Sequence, residues 1–159
     1  MRLFARENPS RATNKVILAT HSDVFQNIID RKEHDGQELK VEIPKCADVG
    51  VAGKFVKFFY TEKLENDFLE ANLVLLLYLS DFFNVKDLHE TVEEKMVSKL
   101  SRETVKDFLV AGHKYHGEKV KENAMKFLAE NKGVWKENKE EWKDCIDRSL
   151  LCELVERLI

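Results

Sequence analysis

Glycine and proline are scarce, six and two in 159 residues. So few turn formers exclude a turn-dense β-sandwich or barrel. No long apolar stretch exists either: the longest unbroken run, Leu73 to Leu79, is seven residues, too short to span a bilayer. The N-terminus, Met-Arg-Leu-Phe-Ala-Arg-Glu-Asn-Pro, has no apolar core, so no secretory signal is read there. Neither sign of charge dominates, with 26 basic and 29 acidic residues interspersed and a net charge of −3. Without a basic stripe, neither nucleic acid nor an anionic membrane is an expected partner. The three cysteines, Cys46, Cys145 and Cys152, are odd in number and scattered. They read as reduced thiols of an intracellular protein; Cys145 and Cys152, seven apart, read as buried structural thiols, with a redox or zinc pair as the alternative.

What is present is charge, 35%, beside an apolar fraction of 43%. That mix suits a helical protein with charged outer faces, of one domain or one and a part. The stretch Val51–Leu88 is the densest apolar segment, and the rest is expected to pack around it. Phe55, Phe58, Phe59 and the leucines of 73–79 are the expected core.

Around it the chain divides into short elements. Residues 1–14 are weakly patterned, with Met1 to Ala5 a short strand or a frayed start. Ser22 and Asp23 are suited to open a helix carrying Val24, Phe25, Ile28 and Ile29 on one face. Asp30 to Glu38, charged and containing Gly36, reads as a loop. Leu39-Lys-Val-Glu-Ile43 alternates as a half-buried strand, which needs a hidden partner for its backbone groups. Val49 to Tyr60 is helical. Asp67 and Glu70 resemble a capping box opening a helix to about Phe82, and Asn84 is placed to cap the next. From Ser101 the pattern is of helix pairs, with Gly117 a left-handed stop and Ser149 the cap of the last helix.

Few residues suggest chemistry. His113 and His116 are three apart on a helix, as two metal ligands could be, but no third ligand is near. His21, Ser22 and Asp23 have the residue types of a hydrolase triad, but consecutive residues cannot converge in triad geometry. The acidic run Asp30, Glu33, Asp35 and Glu38 lacks the spacing of a calcium loop. No glycine-rich phosphate loop exists. Trp135 and Trp142 read as local core, with an exposed partner patch as the alternative. The residues alone describe a non-catalytic, mostly helical interaction protein without cofactor or metal.

Several stretches, in order, resemble the BTB/POZ family, and within it the speckle-type MATH–BTB group. Lys15-Val-Ile-Leu-Ala-Thr-His-Ser-Asp-Val-Phe25 is similar to that group's H-K-A-V-L-A-A-R-S-P-V-F. Val41-Glu-Ile43 resembles its R-V-E-I strand. Phe55 to Leu64 resembles F-x-x-x-x-x-Y-T-G-K-L, and Leu76 to Leu88 resembles L-L-x-A-A-D-K-Y-x-L-x-x-L. Leu100 to Ala111 is similar to the segment that opens the BACK region, and Lys132-Gly-Val-Trp135 echoes a late segment of the speckle-type proteins.

The resemblance implies an α+β, predominantly helical chain. Residues 1–100 would be a BTB/POZ domain with a small sheet, the family's N-terminal helix and hairpin being unmatched in 1–14. Residues 101–159 would be a partial BACK region of helical hairpins. It implies an adaptor that self-associates or pairs with other BTB proteins and docks on cullin-3 for ubiquitin transfer, in the nucleus or cytoplasm. The alternative is a BTB scaffold, or an attenuated competitor of full-length adaptors, that pairs without binding cullin-3. Partner contacts would fall on Glu33, His34, Asp35, Tyr60, Asp81 and Phe83. Three further departures from the pattern matter. No MATH or Kelch-like substrate module is read in the chain. The family's cullin loop has an apolar residue two positions before a Glu, and Asp30 to Glu38 contains no such pair. Glu62 stands where the family has a turn glycine, a strained choice if that site needs positive φ.

Overall fold

In the computed structural model, residues 2–5, 16–35, 39–42, 44–143 and 145–158 are described. The chain folds as two compact units, Met1–His89 and Glu90–Ile159. The predominantly helical class is what the structure has.

In the first unit, β1 (Arg2–Ala5) pairs antiparallel with β2 (Leu39–Glu42), in the register Arg2↔Glu42, Leu3↔Val41, Phe4↔Lys40 and Ala5↔Leu39. The partner that the alternating strand requires is therefore the N-terminal segment, which supplies backbone groups for one of its edges. The β content among the described residues is this single two-stranded ladder. It is less than the small sheet implied by resemblance.

A helical turn occupies residues 16–21. Then α1 (Asp23–Asp35) begins at Ser22, whose Oγ accepts the Phe25 N–H at 3.1 Å. This is the cap expected from the sequence. The helix runs further than expected, through Asp35. The expected loop over Asp30–Glu38 is thus helical in its first part. Arg31, Lys32 and Glu33 are good helix formers, and Gln26 Nε2 donates to Asp30 Oδ1 at 2.6 Å one turn on.

α2 (Val49–Thr61) is capped by Asp48, whose carboxylate accepts the Val51 N–H at 2.8 Å. The helix expected over 67–82 is two helices, α3 (Asn66–Ala71) and α4 (Leu73–Phe82), broken at Asn72. Asn72 leaves helical geometry, and its side-chain amide turns back to the Phe68 carbonyl at 2.8 Å. Such local bonding competes with the helix. Asn84 does not cap the next helix, α5 (Lys86–Ser98). It takes the left-handed conformation instead, φ 49°, and ends the α4 turn.

The core of this unit is aromatic. Phe25, Phe55, Phe59 and Phe83 are buried with Leu76, Leu77, Leu79 and Leu88. Phe25 meets Phe59 edge-on at 5.3 Å, and Phe55 meets Phe59 edge-on at 5.2 Å. These edge contacts are favoured by ring quadrupoles.

In the second unit, α6 (Val105–Lys114) and α7 (Glu118–Glu130) form a tight hairpin. The left-handed residue of its turn is His116, φ 56°, rather than Gly117. The glycine that matters is Gly112: a Cβ there would lie 2.9 Å from both the Gly117 oxygen and the Lys121 nitrogen. Glu93, itself buried, caps α7 from α5, accepting the N–H groups of Lys119 at 2.8 Å and Val120 at 3.3 Å.

α8 (Lys132–Lys143) and α9 (Arg148–Leu158) complete the unit. The α9 cap is Asp147, which accepts the Leu150 N–H at 2.9 Å, and not Ser149. Trp135 and Trp142 are core, edge-to-face at 5.8 Å, in one cluster with Leu109, Met125, Leu128, Leu150 and Leu154. The three cysteines are free thiols and exposed, so Cys145 and Cys152 are not the buried thiols expected. Each lies in a turn or on an outward helix position, where the core does not reach.

Candidate protein-interaction surface

The end of α4 and the start of α1 are stitched together by short polar links. Ser22 Oγ donates to the Phe83 carbonyl while accepting the Phe25 N–H. Asn84 Nδ2 donates to Asp23 Oδ2 at 3.3 Å. Within the turn, the Val85 N–H reaches the Ser80 carbonyl at 2.7 Å, and Ser80 Oγ lies 3.0 Å from His89 Nδ1. A turn held this way presents its outer residues rigidly, which suits recognition by a preorganised surface.

The six residues expected at a partner surface are distributed unevenly. Asp81 is half-buried at the end of α4. Phe83 is 1% exposed and stacked in the core. Its ring is therefore no surface contact; the neighbouring ring that does reach the surface is Phe82, 49% exposed. The apolar run around Phe83 obscures which of two adjacent rings turns outward. Tyr60 is exposed in the last turn of α2, and partial burial raises its hydroxyl pKa, keeping it neutral. Glu33, His34 and Asp35 sit on the last turn of α1 rather than in a loop. The remainder of that expected loop, residues 36–38, lies outside the described residues, and so does Ile43 of the expected strand.

Sequence reasoning missed a second feature. Val74, Tyr78 and Phe82 follow one another at i, i+4 and i+8 on α4. Val74 and Phe82 are exposed and Tyr78 half-buried, whereas Leu73, Leu76, Leu77 and Leu79 are buried as expected. The spacing is the available signal, hidden by a run apolar on every side.

Beside α2, His21 packs against the rings of Phe58 and Phe59 at 6.4 and 5.9 Å. Its two ring nitrogens approach Glu62 and Asp87, each at 4.0 Å. Glu62 adopts φ 52°, ψ 18°, so the turn does use the left-handed region. In the second unit His113 Nε2 lies 2.8 Å from Asp147 Oδ2, tying α6 to the α9 cap, and His116 is exposed in the hairpin turn. Among the described residues no three His, Cys, Asp or Glu side chains gather as a metal site. No described helix is long and apolar enough to cross a membrane.

Comparison with protein families gives a match to the BTB/POZ domain over residues 3–100. The chain belongs to the BTB/POZ family. A similar protein is a BTB/POZ domain-containing protein of Arabidopsis thaliana, 26% identical over 129 residues. The alignment covers 79% of this chain and 44% of that relative, so this BTB/POZ chain spans less than half the relative's length. BTB/POZ domains are in general protein-interaction modules, and residues 3–100 match one.

Proposed function

We propose that this BTB/POZ chain is a non-catalytic adaptor of the cullin-3 ubiquitin ligase type, resembling the speckle-type MATH–BTB proteins. In this reading it self-associates, or pairs with other BTB chains, through residues 1–100, and residues 101–159 are a partial BACK-like region. It acts inside the cell, in nucleus or cytoplasm. The observation that carries the reading is the family match over residues 3–100, together with the ordered motifs that include Asp81. Tyr60, Asp81 and the α1 terminus at Glu33, His34 and Asp35 are the proposed cullin-facing contacts. Phe83 supports them from the core. Titration with purified cullin-3 N-terminal region tests this; absence of binding at tens of micromolar removes the cullin part.

A second reading is a scaffold or attenuated competitor that pairs with BTB chains without cullin-3. It is favoured by Glu33-His34-Asp35, which supplies charge where the family places an apolar anchor before a Glu. A carboxylate entering an apolar socket without a partner costs a few kcal/mol. The cullin-3 titration separates the two readings, and light scattering tests the pairing they share: a chain that stays monomeric and does not mix with full-length relatives excludes the pairing role.

A further inference from the structure

We propose that His21 is a pH-sensitive clasp, which on protonation ties the end of α2 to the start of α5. Its side chain is 13% exposed and rests on Phe58 and Phe59 of α2, with ring centroids 6.4 and 5.9 Å away. Nε2 faces the Glu62 carboxylate and Nδ1 faces the Asp87 carboxylate, each at 4.0 Å. Glu62 is the C-cap of α2, and Asp87 is in the first turn of α5. This arrangement suits one protonation state. An ionised carboxylate only accepts hydrogen bonds, and a neutral imidazole has one N–H and one bare nitrogen. With an acceptor opposite each nitrogen, either neutral tautomer turns a lone pair towards a carboxylate. The imidazolium has an N–H on both sides and attracts both groups.

At 4.0 Å neither contact is a hydrogen bond that a neutral ring could keep, so the attraction depends on the charge. His113 differs, because its 2.8 Å bond to Asp147 is open to a neutral ring that donates from Nε2. Histidine is the side chain that ordinarily changes charge between pH 5 and 8, a window in which carboxylates stay ionised and lysines stay charged. The charged neighbours of His21 are therefore a constant background. On its own segment Asp23 is two residues on, and that carboxylate accepts from Asn84 at 3.3 Å. Lys63 and Lys86 adjoin Glu62 and Asp87 in sequence. The other titrating group to separate is His89 of α5, whose Nδ1 lies 3.0 Å from Ser80 Oγ. The sign follows from the contacts. The clasp is closed while the His21 ring is charged, and it opens as pH rises and the proton leaves. Both carboxylates are mostly exposed, at 77% and 82%, so the effect has the size of exposed ion pairs.

Hydrogen exchange of the Glu62 amide, which closes α2 on the Phe58 carbonyl at 2.7 Å, reads the clasp in the full chain. Protection is corrected for the intrinsic pH dependence of exchange. At low salt it is expected to be about two- to fivefold greater near about pH 5.5 than near about pH 8, the range of exposed ion pairs. The difference is expected to shrink in about 1 M salt. Glu62→Gln combined with Asp87→Asn leaves every histidine in place and is expected to abolish it. His21→Gln is expected to do the same with both carboxylates in place. The double variant carries the test even if loss of the imidazole disturbs the packing on Phe58 and Phe59. Equal protection at the two pH values in the unaltered chain overturns the proposal. So does a difference that survives in the double variant, since that would assign it to His89 or another histidine.

Discussion

The rings of Phe25 and Phe83 lie stacked, their centroids 4.8 Å apart and their planes 13° from parallel. This contact joins α1 to the turn after α4, and it separates two adjacent aromatics by role. Phe83→Ala removes a buried ring and is expected to destabilise by about 3–5 kcal/mol. Phe82→Ala removes a half-exposed ring and should cost about 1 kcal/mol. Urea unfolding of both variants checks the difference, and equal losses would contradict the placement.

Glu62 at φ 52° is strained because its Cβ crowds the backbone in the left-handed region. Its N–H nonetheless closes α2 on the Phe58 carbonyl at 2.7 Å, so the geometry is required. Glu62→Gly is expected to raise stability by about 1 kcal/mol. Glu62→Ala should give no such gain. Denaturation midpoints of the two variants decide it.

Gly112 has the opposite constraint. A methyl group there would press on main-chain atoms of Gly117 and Lys121 rather than on a flexible side chain. Gly112→Ala should spread the α6–α7 hairpin and cost about 1–3 kcal/mol. The fluorescence of Trp135 and Trp142, which lie in the same core cluster as Leu109 of α6 and Met125 of α7, reports the change.

The second unit is expected to loosen in acid. The Leu150 N–H, and after it the bond to His113, holds the Asp147 carboxyl below its ordinary pKa. The Arg157 guanidinium does the same for Glu122. Both groups titrate lower folded than unfolded. Their contribution is therefore full above the unfolded values, about 4, and is lost as pH falls through the lower folded values. Amide exchange in α9 should accelerate through that window. Asp147→Asn, which keeps a capping oxygen but no charge, should flatten the dependence.

Much of the fold is legible in the sequence because local chemistry and burial agree. Ser22 has a hydroxyl where a helix needs an acceptor, and Leu73, Leu76, Leu77 and Leu79 have no alternative to the core. Boundaries are misread where two signals compete. Gly36 suggests a loop while Arg31, Lys32 and Glu33 favour helix, and helix wins as far as Asp35. Asp147 rather than Ser149 caps α9 because a carboxylate can also meet His113, a residue 34 positions away that no local window includes. The proposed interaction surface is legible only by resemblance. Which of Phe82 and Phe83 faces outward depends on tertiary packing against Phe25, and neither composition nor periodicity carries that.

The hydroxyl of Ser22 serves two backbone groups on separate elements, the Phe25 amide nearby and the Phe83 carbonyl sixty-one positions along the chain. One consequence is kinetic. Neither the first turn of α1 nor the turn after α4 can fray alone without orphaning a buried group of the other. The two ends should therefore open as one cooperative event, and their amide protons should exchange at matching rates. The proposed partner surface is thereby kept in a single conformation.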